Sequence, residues 1–338
     1  MKKICLLILL CIAGSGCSDR KLTEISGKTM GTTYHVKIAA SKKNMKEHEL
    51  KNEIDKILKK INSSMSIYDK ASMISVFNRL DRNEDLVMDS QFSEVVKAGK
   101  VIYAVTDGYW DATVGPLVEL WGFGTIKKEF EIPAKEEIEK KLSVTGFDNI
   151  EISEDGSRIR KTKKGVVLDF GSIAKGYGVD LVSGYLKQLG FKDFMVEIGG
   201  EVYVSGKNIK NEKWKIGISR PDSEAGINEI IDIIEAANRG IATSGTYRNF
   251  VKSENRVYSH IIDPKTGYPV KTSLVSVTVI SDSCIFADGL ATGMLAMGTG
   301  KALDLCERLK NTECMTIENE NGFKSSYSSG FKKYMNMK

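Results

Sequence analysis

The stretch FMVEIGGEVYVSG, residues 194–206, reads as a strand, a Gly-Gly turn and a second strand. Upstream, GVVLDF (165–170) reads as a short buried strand that turns through GSIAKGYGVDLVSGYLKQLG (171–190) into a helix ended by Gly190. Downstream, WKIGIS (214–219), EIIDIIEA (229–236), GIATSG (240–245), VYSHIID (257–263) and LVSVTVIS (274–281) continue as short strands separated by turn residues. The helical stretches ADGLATGMLAMG (287–298) and ALDLCERLK (302–310) follow. Strands and helices are thus interspersed without a βαβ rhythm, which points to an α+β fold rather than a doubly wound sheet.

Nearer the N-terminus, ISGKTMGTTYHVKIAA (25–40) alternates into a first strand, with Thr33, His35 and Lys37 on one face and Tyr34, Val36 and Ile38 on the other. Leu50, Ile54, Ile57, Leu58 and Ile61 recur at helical spacing. A second helix, from about Gln91 to Val105, carries Phe92, Val95, Val96, Val101 and Ile102 and stops at Asp107-Gly108. Pro133 followed by AKEEIEKKL has the form of a helix start with Pro in the first turn. There is no internal repeat and no low-complexity tract.

The first 17 residues, MKKICLLILLCIAGSGC, hold two lysines, an apolar run too short to span a bilayer and a small-residue stretch that stops at a cysteine. This looks like a bacterial lipoprotein signal. It predicts a signal peptide over 1–16, a multiply acylated Cys17 and a polar tether over 17–26, with one catalytic domain over 27–338. The chain would then sit in the cell envelope, on the periplasmic side, held to a membrane through Cys17. A plain secretory signal is the alternative. The net charge of +5 is spread thinly and gives no footprint for nucleic acid. Beyond Cys17 stand Cys284, Cys306 and Cys314, in no zinc pattern. A Cys306–Cys314 disulfide suits an oxidising compartment, but three cysteines make no disulfide framework.

Four features bear chemistry. Asp288 and Thr292, four apart on a helix, share a face, and a carboxylate with a hydroxyl suits a hard cation such as Mg²⁺; the alternative is that Thr292 bonds the Asp288 carbonyl while Asp288 caps the helix or meets a lysine. In LDFGSIAKGYGVD (168–180) a strand meets a glycine-punctuated turn and a helix start that offers N–H groups to an anion, with Lys175 alongside. It is neither a dinucleotide fingerprint nor a phosphate-binding P-loop. EIGGEVYVSG, ATSGTYRNF and YSHIIDPKTGYP are turns rich in Gly, Ser, Thr and Asp. His260, one of three histidines in the chain, lies in the last of them near Asp263, an arrangement open to a general base or to a structural histidine. Finally, GYWDATVGPLVELWGFG (108–124) holds Tyr109, Trp110, Trp121 and Phe123, as core or as a slot for a planar ring.

Taken in order, KTMGTTY, SMSIYDKASMISVFN, YWDATVGPLVELWGFG, LDFGSIAKGYGVD, VEIGGEVYVSG, ATSGTYRNF, HIIDPKTGYP and ADGLATGMLAMG resemble the ApbE-type FAD:protein FMN transferases. The resemblance implies a single compact α+β unit, similar to a T-fold arrangement, with mixed or antiparallel sheets and packed helices. It implies transfer of the FMN half of FAD to a threonine hydroxyl of an acceptor protein, with release of AMP. By the same resemblance Mg²⁺ is held by Asp288, Thr292 and the main-chain carbonyl of Ser172, and FAD by Met30, Tyr68, Tyr109, Trp110, Asp111, Asp169, Lys175 and Ile262. His260 is the candidate base. The implied acceptor is a membrane redox subunit, as in sodium-pumping quinone reductases and their electron-transport relatives. An Mg²⁺-dependent FAD pyrophosphatase and a non-catalytic flavin-binding lipoprotein are the competing readings.

Overall fold

In the computed structural model the described residues are 20–40, 46–125, 130–222, 229–247, 249–253 and 256–335. The signal sequence and Cys17 lie outside them. Eight strands form one sheet in the order in which the chain makes them: β1 (Lys21–Thr29), β2 (Thr32–Ala40), β3 (Phe194–Ile198), β4 (Glu201–Ser205), β5 (Arg239–Gly245), β6 (Leu274–Ser281), β7 (Glu313–Asn319) and β8 (Phe323–Tyr327). Every pairing between neighbours is antiparallel. The Gly-Gly pair that joins β3 to β4 has positive φ at both residues, which glycine adopts without a Cβ clash.

Between these strands the chain inserts its helices: α1 (Glu47–Met65), α2 (Met73–Arg79), α3 (Ser90–Val105), α4 (Gly115–Leu120), α5 (Lys135–Leu142) and α6 (Ala174–Gln188) between β2 and β3, then α7 (Cys284–Met297) and α8 (Thr299–Arg308) between β6 and β7. Alternation along the strands assigns the two faces of the sheet. Val36, Ile38, Phe194, Val196 and Ile198 point to the side where α1, α3 and α6 pack. Val277, Val279 and Cys314 meet α7 and α8 on that side. On the opposite side Val202, Val204, Ile241, Ile280, Met315 and Ile317 are covered by the hairpin Trp214–Ser219/Ile230–Ala236 and by the turn at Phe331–Tyr334. This is the α+β arrangement that the missing βαβ rhythm predicts.

Several expectations change. Residues 21–26 are not tether: Lys21–Thr29 is the edge strand β1, and Ile25 is its buried apolar residue beside exposed Leu22 and Glu24. An edge strand keeps polar residues on its open side, so its alternation is weak. GVVLDF is extended but pairs with no strand. Asn78 supplies what a neighbour would, donating to the Leu168 carbonyl at 2.9 Å and accepting from the Leu168 N–H at 2.7 Å. Val101 points outward from α3. Cys284, Cys306 and Cys314 are buried free thiols, so there is no Cys306–Cys314 disulfide.

Candidate functional site

Helix α7 is almost wholly apolar, yet Asp288 lies in its middle and is 2 % exposed. Its Oδ2 accepts from the N–H of Gly176 in the first turn of α6, at 3.0 Å. Gly176 is what lets the two helices come this close: a Cβ there would stand 2.5 Å from the Cys284 carbonyl oxygen and 2.9 Å from the Asp288 Cβ. The start of α6 therefore does receive an anion, and that anion is the protein's own Asp288.

Lys175 lies between two carboxylates, with its Nζ 4.0 Å from Asp288 Oδ2 and 3.5 Å from Oε2 of Glu201 on β4. Glu201 is 4 % exposed and that oxygen has no hydrogen-bond partner; the lysine contact is an ion pair too long to be a hydrogen bond. Burial raises both acids above the usual carboxylate range, and for Glu201 the neighbouring Asp288 adds to the rise. Burial alone would lower Lys175, but the two carboxylates outweigh it and hold the ammonium above its ordinary value. One ammonium faces two buried acids, and because burial favours the protonated form of each, both stay ionised only beside a further cation.

Thr292, one turn beyond Asp288, lies 3.0 Å from the Ser244 Oγ on β5 and donates to the Asp288 carbonyl at 3.3 Å. Across the cleft, Trp110 donates from Nε1 to the Ser172 Oγ at 2.9 Å. The oxygens here are carboxylates and hydroxyls, and among the described residues no cluster of three His, Cys, Asp or Glu stands ready to hold a metal. A hard cation fits such a donor set only if hydroxyl, carbonyl, water or substrate oxygens complete its shell. The buried Glu201 oxygen without a hydrogen-bond partner agrees with a cation there.

These groups line one cleft of about 460 Å³, together with Tyr109, Asp111, Asp169, His260 and Ile262. Asp111 is nearly buried; burial pushes it up to about 6, although Thr113 donates to it from N–H and Oγ1 at 2.8 and 2.6 Å. Asp169 accepts from the Gly171 N–H at 2.8 Å and burial raises it as well. His260 Nδ1 faces the Asn249 carbonyl at 2.9 Å, which fixes the proton on Nδ1 and leaves Nε2 as the acceptor. Burial lowers its pKa from the ordinary 6.5, more than the Asn249 contact raises it. Burial thus favours the neutral histidine, and its Nδ1 partner is the Asn249 carbonyl and not Asp263. That carboxylate turns back on its own loop and accepts from the Lys265 N–H at 2.9 Å.

Two sequence candidates stand apart from this cleft. Met30 occupies the β1–β2 turn with positive φ and packs towards Gly178 of α6, and Tyr68 is 79 % exposed beyond the end of α1. Ile67, next to Tyr68, lines a second cleft of about 570 Å³. The two clefts share Val118 and Asp169. Of the aromatics, Trp110 is both buried and cleft-lining, whereas Trp121 is core, stacked on Tyr258. Sequence reasoning missed Glu201 and Asp180. Glu201 carried the same signal as Asp288, an acid at an inward position. Asp180 accepts from the N–H groups of Cys284 and Ile285 at 2.8 and 2.9 Å, capping α7 from α6.

The family profile described as the ApbE family matches residues 30–316. The FAD:protein FMN transferase of Vibrio cholerae is 38% identical over 332 residues, 98% of each chain. That of Haemophilus influenzae is 39% identical over 322 residues, covering 93% of this chain and 92% of its own. The solved structure "Flavin Transferase ApbE from Vibrio cholerae" superposes with a TM-score of 0.85 at 37% identity, over 94% of this chain and all of the other. A match of this extent in sequence and in fold places the chain in the ApbE family.

Proposed function

We propose that the chain transfers the FMN half of FAD to a threonine hydroxyl of an acceptor protein, forming a phosphoester and releasing AMP. The observation that carries this reading is the convergence in one cleft of a buried acid pair, an ammonium and a neutral histidine. In the reaction the threonine Oγ bonds to the FMN phosphorus, the P–O bond to AMP breaks, and the threonine proton passes to His260 Nε2 and on to solvent. Lys175 faces the diphosphate and offsets its charge, while Trp110 and Tyr109 offer ring faces to a planar group. Asp169, shared by both clefts, lets a dinucleotide extend from one into the other.

Asp288, Thr292 and the Ser172 carbonyl would hold Mg²⁺, which when bound neutralises phosphate charge that repels the nucleophile. Met30, Tyr68, Asp111 and Ile262 belong to the FAD site in this reading, Met30 and Tyr68 from beyond the cleft. Cys17 carries the acyl anchor, the chain works in the cell envelope on the periplasmic side, and the acceptor is a membrane redox subunit. Incubating the chain with FAD, Mg²⁺ and an acceptor domain tests the reaction. Yellow fluorescence that stays on the denatured acceptor supports transfer. AMP and free FMN without labelled acceptor would overturn it in favour of hydrolysis.

A further inference from the structure

The sheet has two unlike ends. The cleft lies at the end holding the β1–β2 turn, the β3–β4 turn and the close of β5 at Gly245. At the other end the described chain enters at Arg20. Its guanidinium donates to the Ala39 carbonyl at 3.1 Å and pairs with Asp193 at 2.9 Å. It also reaches the Lys207 carbonyl at 3.4 Å. Arg20 thus ties β1 to the loop that leaves β4.

Lysines crowd around this entry point: Lys21, Lys192, Lys207, Lys210 and Lys213 are all exposed, and none forms an ion pair with a described residue. Of the acids in the same segments, Asp193 is already taken by Arg20 and by the Lys207 N–H, which leaves Glu212. Two large apolar side chains stand out among the lysines, Leu22 at 41 % and Ile209 at 37 % exposure. Ammonium groups around exposed aliphatic side chains form a surface suited to phosphate headgroups with shallow insertion between them.

We infer that this end of the sheet docks on an anionic phospholipid bilayer. The inference rests on the reading of Cys17 as the lipidated residue, because three residues of chain reach at most about 10 Å and would hold Arg20 close to the membrane. One acyl-bearing cysteine and a basic patch are then two signals on one face. The nine residues of β2 span about 27 Å. Docked by its basic end, the protein carries its cleft at roughly that height and turned away from the lipid, where it meets an acceptor loop that stands clear of the bilayer.

The test uses residues 18–338, which lack any acyl chain; every buried apolar residue among those described lies at or beyond Ile25, so the cores are kept. Co-sedimentation is measured with vesicles of phosphatidylcholine alone and with about one-quarter phosphatidylglycerol, at low and high salt. Binding to the anionic vesicles that salt abolishes is expected. The triple change K207E/K210E/K213E should lower it more than tenfold, since each lysine near such a surface contributes about fivefold. An unchanged thermal unfolding transition shows that the variant is folded, and Ile209→Asn should lower binding severalfold on its own. Absence of binding to anionic vesicles, equal binding to both vesicle types, or binding that survives the charge reversal would each overturn the inference. Because no acyl group or flavin enters the assay, failure of the lipidation reading or of the transferase reading shows up elsewhere, in the mass of the mature N-terminus or in acceptor labelling.

Discussion

Asp288 is held by the Gly176 N–H and faced by Lys175, His260 is held by the Asn249 carbonyl, and each arrangement predicts a distinct failure. Replacing His260 with Ala should lower transfer by about 10²–10⁴-fold while FAD binding, followed by flavin fluorescence, is retained. Because burial lowers the pKa of this histidine, its neutral form persists below the ordinary 6.5; kcat should hold through neutral pH and fall on the acid side only below that value. Asp288→Asn removes one of the two acids beside Lys175. Saturating Mg²⁺ should raise the unfolding free energy of the native chain by about 2.7 kcal/mol at a hundred times Kd, and thermal melts of the variant should show no such rise. Asp288 was legible in the sequence because an acid breaks the apolar run of α7. Glu201 broke the inward face of β4 in the same way, but a single acid beside a Gly-Gly turn is also an ordinary hairpin feature, and only its burial against Lys175 separates the two cases.

Helices α6 and α7 meet through two acids and one glycine. Asp180 caps α7 in place of Ser283, the local N-cap residue, which makes no side-chain cap bond. Asp180→Ala leaves two buried N–H groups without an acceptor and should cost about 1–3 kcal/mol in denaturant unfolding. Gly176→Ala drives a methyl into the Cys284 carbonyl, and because the obstacle is backbone the helices must separate. Loss of the Mg²⁺-dependent stabilisation along with loss of stability is the expected result, measured by melts with and without the ion. The helices α1, α3 and α6 were readable because each buries one stripe of spaced apolar residues, and α7 because it is apolar almost all round. Strand β1 and the segment 165–170 were not. The first is an edge whose open side is polar, and the second has its backbone met by the side chains of Asn78 and Lys161 and by the Ala112 carbonyl, which no periodicity encodes.

The meander of eight antiparallel strands places every insertion at one or other end of the sheet, so the loops from β3–β4, β5 and α6 gather at a single cleft. The far face is closed late in the chain by Phe331, which is fully buried on the sheet beside Tyr327 and Tyr334. Phe331→Ala should cost about 3–5 kcal/mol in urea unfolding, in spite of its distance from the cleft, and should leave acceptor labelling of the folded fraction unchanged.

Local patterning fixed the class of fold and most helix and strand positions, because each depends on residues within one turn or one strand of each other; the family came from the resemblance of eight motifs taken in order along the chain. Hydrophobic spacing reports which way a side chain faces, and glycine and proline report where the chain bends. Neither reports which distant segment that face will meet. The bond from Gly176 to Asp288 joins residues 112 apart in the chain, and the ion pair of Lys175 with Glu201 crosses from a helix to the sheet. Those meetings follow from how α6, α7 and β4 pack together. That packing set two inward acids around one lysine, left Met30 and Tyr68 outside the cleft walls, and turned the His260 ring to Asn249 instead of Asp263.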